Sequence, residues 1–497
     1  MRIKRITEAW KKHIGKRTLA ATLALVLAGT AFPMTTSPQT VQAEDLVASQ
    51  ATTLQVNSPI TDSLPDNDNI KYYRFTTTAN GYFTITIKHT NIEETGGWDF
   101  ALKNEERTYT YDSRDGYKSI ETCKWPCTKG QTYYIDLSSY RFNRSKGQAY
   151  QLLIQQTAEE NWELEPNDSQ GTATPLTCNV PINGMVEPDG VDWYILKTPS
   201  TTGRLSFSIN HQDISETGAW NISILNDKGE VYSEYTDCCS LTTCDYGFAP
   251  GTTLYITINN YAFDRATKQL YSFKATFTPD ANYEHEPNGS TTEANPIKYN
   301  TNYCGMMLGQ GDSVDYYKFT NKSTAKISLH FGPTDISNTG DWEVKLINSA
   351  GAETTLINSN AIENTSFILR KGTYYLSISS STHESEYTFN IKRKNYSLAG
   401  KTKISKLKRT DKTHITSIKL GKRVKAATDY QVNVSQKKKM SDATVLETKN
   451  KGTLSIDFTG EERTRYYVRV RPFAVDAFGK YLYGKKSNIA SIKTKKY

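Results

Sequence analysis

The sequence is poor in the side chains that carry most acid–base chemistry near neutral pH. Only seven histidines occur in 497 residues. Two of them, His89 and His211, hold equivalent places in a repeat whose third copy has Pro333 instead. A side chain repeated by a scaffold and then dropped reads as structural. No Gly-x-Ser-x-Gly, His-Glu-x-x-His or phosphate-loop pattern occurs, which removes the commonest hydrolase, metalloprotease and nucleotide sites. Paired Cys-x-x-Cys knuckles are missing, which argues against structural zinc. No segment sustains helical periodicity, and beyond the amino-terminal stretch no apolar run could span a bilayer, which takes about 20 residues. No enzyme activity is expected.

What is present begins with a leader. Basic residues from Arg2 to Arg17 precede "TLAATLALVLAGTAF" and then "VQAED". Small residues before Glu44 predict a signal peptide over residues 1–43, cleaved after Ala43; the alternative is a membrane anchor, for which the apolar run is short. The carboxyl end, "SIKTKKY", has neither a hydrophobic tail nor a sortase motif. A secreted, extracellular protein without a transmembrane anchor is expected, released or held non-covalently at the cell wall. Charge is divided sharply. Residues 398–497 hold 25 Lys and Arg against 8 Asp and Glu, a net +17, whereas residues 44–397 hold 28 against 43, a net −15. An acidic array thus carries a basic terminal domain, a statement about partners rather than fold.

Seven cysteines in an exported chain predict disulfides. Cys123 and Cys127 of "CKWPC" are close enough in sequence to bridge, and Cys178, Cys238, Cys239 and Cys244 share one repeat. Cys304 is alone in its own, and the odd total leaves at least one thiol over.

Three stretches define the repeat. "NIEETGGWDFAL", "DISETGAWNISI" and "DISNTGDWEVKL" start at Asn91, Asp213 and Asp335, each 122 residues after the last. "KGQTYYIDLSSY", "PGTTLYITINNY" and "KGTYYLSISSST" follow in the same order, so three copies of one domain are present. Segments such as "YFTITIKH" and "RLSFSINH" alternate apolar and polar residues, as half-buried strands do. The predicted fold is all-β: tandem β-sandwiches of about eight strands each, jelly-roll-like, over residues 44–158, 159–280 and 281–397, then an immunoglobulin-like sandwich over 398–497. Trp98, Trp220 and Trp342 recur at one position and read as core plugs, with a surface ligand contact as the alternative.

"NWELEPNDSQ" at 161–170 returns as "NYEHEPNGST" at 282–291. In an extended chain Glu163, Glu165 and Asn167 fall on one face, and Pro166 biases Glu165 towards extended geometry. Three oxygen-bearing side chains at a two-residue period are a start on a calcium shell of six to eight oxygens. "EPDGVD" can add Asp189 and Asp192. The alternative is that these acids solvate a boundary and cap turns. Their place in a Pro-bearing linker argues against a pair of glycosidase carboxylates in a cleft.

With Gly-x-Val, Gly-Asp-x-Asp-Tyr-Tyr and Gly-Thr-Tyr-Tyr, this arm resembles the bacterial pre-peptidase C-terminal domain. The match is good over about 159–394 and extends over 44–157 only from "DNDNIKYYRF" onward. The resemblance implies a non-catalytic β-sandwich that accompanies secreted proteases, with calcium-using, collagen-binding relatives. Carried over, it implies calcium held by Glu163, Glu165, Asn167, Asp168, Asp189 and Asp192 in copy two. Copy three offers Glu284, Glu286, Asn288, Asp312 and Asp315, with Gly289 in place of the fourth arm residue. Copy one lacks the arm, has Lys71 where copy two has Asp192, keeps only Asp68, and is expected to bind no metal. With "AATDYQVNVS" followed by "TRYYVRVRPFAVDAFGKYLYGKKSN", the last hundred residues resemble a fibronectin type III domain; the resemblance implies Tyr466 as the tyrosine-corner residue, while "THITSIKL" lacks that family's strand-B Trp.

The expected function is a surface or secreted binding and adhesion protein of a Gram-positive-type bacterium, recognising an extracellular matrix protein or a glycan. "SSYRFNR" and "NNYAFDR" mark Tyr140, Phe142, Arg144, Tyr261, Phe263 and Arg265 as ligand-contact candidates, since aromatics beside Arg can stack on sugars or prolines; a packed loop is the alternative. The basic domain points to an anionic cell-wall polymer, with no recognition fold for nucleic acid. The competing function is a structural spacer or stability module beside extracellular proteases, with no ligand of its own.

Overall fold

Alternating sequence becomes alternating burial. In the strand Gly81–His89 every second side chain, Phe83, Ile85 and Ile87, is fully buried, and Leu205, Phe207 and Ile209 repeat this in Gly203–His211. The structure is a computed structural model. It describes residues 49–496, apart from 65–69, 141–146, 188–189, 214–217, 262–267, 309–312, 335–340, 382–383, 410–411, 413 and 448–453. The leader over 1–43 lies outside the described residues.

The first repeat is two five-stranded sheets face to face. One runs, edge to edge, Thr52–Leu54, Lys71–Thr76, Thr132–Ser139, Trp98–Lys103, Thr110–Tyr117. The other runs Ile60–Ser63, Ala149–Ala158, Gly81–His89, Ser119–Glu121, with Trp125–Cys127 also paired to Gly81–His89. The second repeat has the same order, and the third differs in one respect: a single strand, Glu363–Leu369, does the work of two short ones. Among the described residues each of the first two repeats has ten strands rather than the expected eight, because strands of two to four residues are too brief to show alternation. The inward faces fill one apolar core per repeat. Trp98, Trp220 and Trp342 are fully buried in those cores. His89 and His211 lie against Trp98 and Trp220, ring centroids 4.2 and 4.3 Å apart, and each bonds through Nε2 to a loop carbonyl, Gly96 or Gly218, at 2.7 Å. Both are loop fasteners.

The last domain pairs a three-stranded sheet, Lys403–Arg409, His414–Lys422, Leu454–Thr459, with a second sheet. That sheet runs Thr444–Glu447, Asp429–Ser435, Arg465–Val475, Tyr481–Tyr483, with Ala490–Lys493 also paired to Arg465–Val475. The buried Tyr466 hydroxyl accepts the Glu461 backbone N–H at 2.7 Å, the upstream brace of a tyrosine corner.

The expected disulfides are not formed: all seven cysteines are free thiols. The segment from Cys123 to Cys127 runs extended along Gly81–His89, from the Thr122 N–H on the Ile85 carbonyl to Cys127 opposite Gly81. Four residues of strand, about 13 Å, thus separate the two cysteines, beyond the roughly 7 Å between Cα atoms that a disulfide spans. The Cys123 sulfur lies 3.8 Å from Met185 of the next repeat, whereas Cys127 faces the Ala79 carbonyl and Gln156. By register, Cys127 opposite Gly81 corresponds to Phe248 beyond Tyr246 in repeat two, a core-filling place. Cys238 is buried at the end of its strand, Cys239 beside it is exposed and Cys178 half-buried, and the Cys244 sulfur meets the Tyr235 hydroxyl. Burial pushes Cys123 and Cys127 up to about 12 and Cys238 and Cys244 up to about 11, so these thiols are poor nucleophiles. Among the described residues no helix is long and apolar enough to cross a membrane.

Candidate functional site

The acidic arm of repeat two is a strand-like extension of its own sandwich. Trp162 forms a parallel bridge with Asn183, and the Glu163 N–H donates to the Asn183 carbonyl at 3.0 Å. This lays Glu163 across the strand Ile182–Met185, over Gly184. A Cβ at Gly184 would stand 2.5 Å from the Tyr271 hydroxyl and 2.7 Å from Glu163 Oε2, so only glycine leaves room for the carboxylate. Gly305 clears the same space for Glu284 in repeat three.

Glu163 is held from every side. Oε1 accepts the Met185 N–H at 2.7 Å, and Oε2 accepts from the hydroxyls of Tyr194 at 2.7 Å and Tyr271 at 3.1 Å and from Asn167 Nδ2 at 3.2 Å. The two tyrosine hydroxyls lie 2.6 Å apart, and Tyr271 also reaches Asp192 Oδ2 at 2.5 Å. Glu163, Tyr194, Tyr271 and Asp192 thus form three close oxygen contacts in series, with two hydroxyl protons to fill them. One contact lacks a proton unless a carboxyl is protonated or a cation compensates.

Glu163, Glu165 and Asp192 each place a carboxylate oxygen within 4.8 Å of the others, all three residues buried. Burial pushes Glu163 up to about 7, against the pull of its donors. Burial, reinforced by the neighbouring acids, pushes Glu165 and Asp192 well above the carboxylate range. Glu165 Oε2 accepts the Asn167 N–H at 3.1 Å. Glu165 Oε1 and Asn167 Oδ1 are buried and accept no hydrogen bond. Asp168 lies close enough to raise Glu165 and Glu187 electrostatically. Asp189 lies outside the described residues.

Repeat three builds the same core. Glu284 accepts from the Met306 N–H, from Tyr317 at 2.8 Å, Tyr387 at 3.2 Å and Asn288 Nδ2 at 3.2 Å. Tyr317 and Tyr387 meet at 2.7 Å, and Tyr387 reaches Asp315. Glu284, Glu286 and Asp315 form the second buried cluster, and Asn288 Oδ1 accepts no hydrogen bond. Asp312 lies outside the described residues.

Glu187 is a participant that motif reading missed. Burial, with Asp168 and Glu163 nearby, pushes it up to about 8. The register, with Gly184 opposite Tyr271 and Gly305 opposite Tyr387, places Leu308 at the corresponding position of repeat three. Glu187 therefore gives the repeat-two cluster a carboxylate that the repeat-three cluster lacks, and this difference shows in the sequence only once the strands are aligned.

Repeat one solves the same problem without an arm. Asp62 stands opposite Tyr150, where the later repeats have Gly184 and Gly305. Its Oδ2 accepts from Tyr73 at 2.7 Å, Tyr73 meets Tyr150, and the Lys71 ammonium donates to Oδ1. Two hydroxyl protons fill two contacts here, and Lys71 supplies a cation in the place of Asp192. Asp68 lies outside the described residues.

Both clusters border a module junction. Tyr111 of repeat one is raised by burial and by Glu187, Glu165 and Asp168; Tyr232 of repeat two is raised by burial and by Glu286. Trp162 lies on Tyr82 of repeat one at 4.6 Å, beside Lys124. The Glu286 N–H donates to Gly247 of repeat two at 2.9 Å, and Arg204 of repeat two covers Tyr283 at 4.4 Å and pairs with Glu386 of repeat three. Of the aromatic candidates, Tyr140 is half-buried, its ring 3.0 Å from the place of a Cβ on Gly116. Tyr261 is half-buried and donates its N–H to Ala219. Phe142, Arg144, Phe263 and Arg265 lie outside the described residues.

No family profile matches this chain, and no curated protein matches it in sequence. Among solved structures it is similar to the pre-peptidase C-terminal domain of collagenase from Bacillus anthracis, at 24% identity, covering 22% of this chain and 100% of that one, with a TM-score of 0.18. It is also similar to the FN1–FN3 domains of chicken CNTN1, at 13% identity, 58% and 98% coverage and a TM-score of 0.19. A third likeness is to the Endo-D glycoside hydrolase domain from Streptococcus pneumoniae R6, at 11%, 39% and 33%, with a TM-score of 0.16. At such TM-scores these likenesses say nothing about ligand or activity.

Proposed function

We propose that this is an exported, non-catalytic binding protein whose pre-peptidase C-terminal-type sandwiches are stiffened by calcium and display a surface for an extracellular matrix protein or glycan. The observation that carries the proposal is the buried acceptor set Glu165 Oε1 and Asn167 Oδ1 beside Glu163 and Asp192. Buried oxygens without donors are costly unless a cation occupies the space among them. The donor set is all oxygen, which suits a hard cation and not zinc. In repeat two Glu163, Glu165, Asn167, Asp168, Asp189 and Asp192, joined by Glu187, would hold it; in repeat three, Glu284, Glu286, Asn288, Asp312 and Asp315. The ion would supply charge compensation and a fixed arm, and no catalytic chemistry. The basic, fibronectin type III-like last domain would hold the protein to an anionic wall polymer.

The test is adsorption of the purified exported chain to immobilised collagen, mucin and glycan arrays, with calcium and with a chelator. Calcium-dependent binding supports the adhesin. A folded chain that binds none of them favours the spacer, and turnover of a substrate through rigorous purification would overturn the non-catalytic reading.

A further inference from the structure

One face of the last domain carries a row of arginines that the fold does not neutralise. In Arg465–Val475 the side chains of Tyr466, Val468 and Val470 enter the core, so Arg465, Tyr467, Arg469 and Arg471 face outward. Successive members of such a row stand about 6.8 Å apart, two residues along a strand. The ion pairs among the described residues include none of these three arginines. Arg471 is held ready: its guanidinium lies 4.2 Å from the Tyr483 ring centroid, and Nε donates to the Gly484 carbonyl at 3.1 Å. Arg465 donates to Ser491 Oγ at 3.1 Å. Arg469 Nε is buried and has no acceptor. The cross-strand neighbours of Arg469 and Arg471 are Asn433 and Gln431, and that of Arg465 is Lys493. Three guanidinium groups along one strand, none of them in an ion pair among the described residues and all set in a domain of net +17, are complementary to a chain that brings one anion per step.

We infer that this strand is the seat for a linear phosphodiester polymer with a short polyol linker, a poly(glycerol phosphate) chain, lying along Arg465, Arg469 and Arg471 with Tyr467 between them. The inference rests on the wall-holding part of the proposed function and deepens it. Guanidinium forks match phosphate oxygens in a way that point-charge lysines do not, and a polyol linker can lie on the tyrosine edge.

The test measures binding of the whole exported chain to immobilised poly(glycerol phosphate) over a salt series. R469Q/R471Q is expected to weaken binding at least tenfold and to reduce the slope of log K against log salt by about 1.4, as loss of two phosphate contacts to a single-stranded polyanion requires. R469Q alone, which leaves the Arg471–Tyr483 contact in place, should give about half that change in slope, with an unchanged melting temperature as the folding control. K438Q/K439Q removes equal charge from the exposed turn after Asp429–Ser435 and should change affinity less than threefold. Equal weakening by both double variants would overturn the strand as the seat while leaving the wall-holding reading intact. Absence of wild-type binding at low salt would overturn both. Tighter binding of an oligothymidylate than of the polyol phosphate at equal salt would overturn the polymer class.

Discussion

The Lys71 ammonium donates to Asp62 in repeat one at the two positions that Asp192 and Gly184 occupy in repeat two. A side-chain cation thus stands where the later repeats gather acids. Lys71→Met should destabilise repeat one by about 1 kcal/mol, a modest figure because the pair is about a quarter exposed and solvent screens it. Calcium should not restore the loss. Restoration of the melting temperature by calcium would show that repeat one can hold a metal and would overturn the expectation that it binds none.

Acid should separate the repeats. In repeat two burial raises the metal-free Glu163 to about 7 and Glu187 to about 8, above the unfolded value near 4.5. The folded state then holds protons that the unfolded state has released, so this stability is present below about pH 4.5 and is lost as pH rises towards 8. In repeat one burial would raise Asp62, but its bonds from Lys71, Tyr73 and Ser63 outweigh that and leave it lowered; its contribution is present above the unfolded value and lost on acidification. Calorimetry in chelator should show the repeat-two transition falling by several degrees between pH 5 and 8. With millimolar calcium the slope should vanish, and a metal-free transition that rises over that window would contradict the cluster.

Glu165→Gln should remove one of the crowded charges and so stabilise the chelated protein slightly while abolishing the calcium-induced rise in melting temperature assigned to repeat two. A ligand at 100 times its dissociation constant stabilises by about 2.7 kcal/mol, a shift of several degrees for a domain of this size. An undiminished rise in this variant would remove Glu165 from the site.

Gly184→Ala forces a methyl to within 2.5 Å of the Tyr271 hydroxyl. It should cost about 3 kcal/mol, within the range for core overpacking. Gly171→Ala, with nothing within 4 Å, should stay within about 0.5 kcal/mol. Chemical denaturation of the pair reads the contrast directly.

Thiol labelling of the native protein should be fastest at exposed Cys239 and slow at Cys123 and Cys127, whose thiolates burial disfavours. Intact mass after blocking without reductant should count seven alkylated cysteines once the chain is denatured. A mass short by two labels would reveal a bridge.

Strands and repeats were legible because burial follows a local period: Phe83, Ile85 and Ile87 announce their face within one line of sequence. The arm was legible for the same reason, since Glu163, Glu165 and Asn167 alternate and Pro166 stiffens them. What joins the arm to the fold was not. Tyr194 and Tyr271 stand 77 residues apart, and nothing local in either says that their hydroxyls meet. Asp62 hid because its counterpart is a glycine, and Glu187 because only cross-strand register sets it against Leu308. The cysteines misled for the converse reason: closeness along an extended chain is not closeness in space, and Cys127 opposite Gly81 lies about four residues of strand from Cys123.

The junctions make the modules unequal in a way that their shared topology conceals. Trp162 meets Tyr82 and Lys124, whereas Tyr283 meets Arg204, which in turn reaches Asp245. Excising the middle module would set Tyr283 beside Tyr82 and Lys124, surfaces shaped for an indole. The beads on this string are not interchangeable, and their sequence of threading is written into the seams.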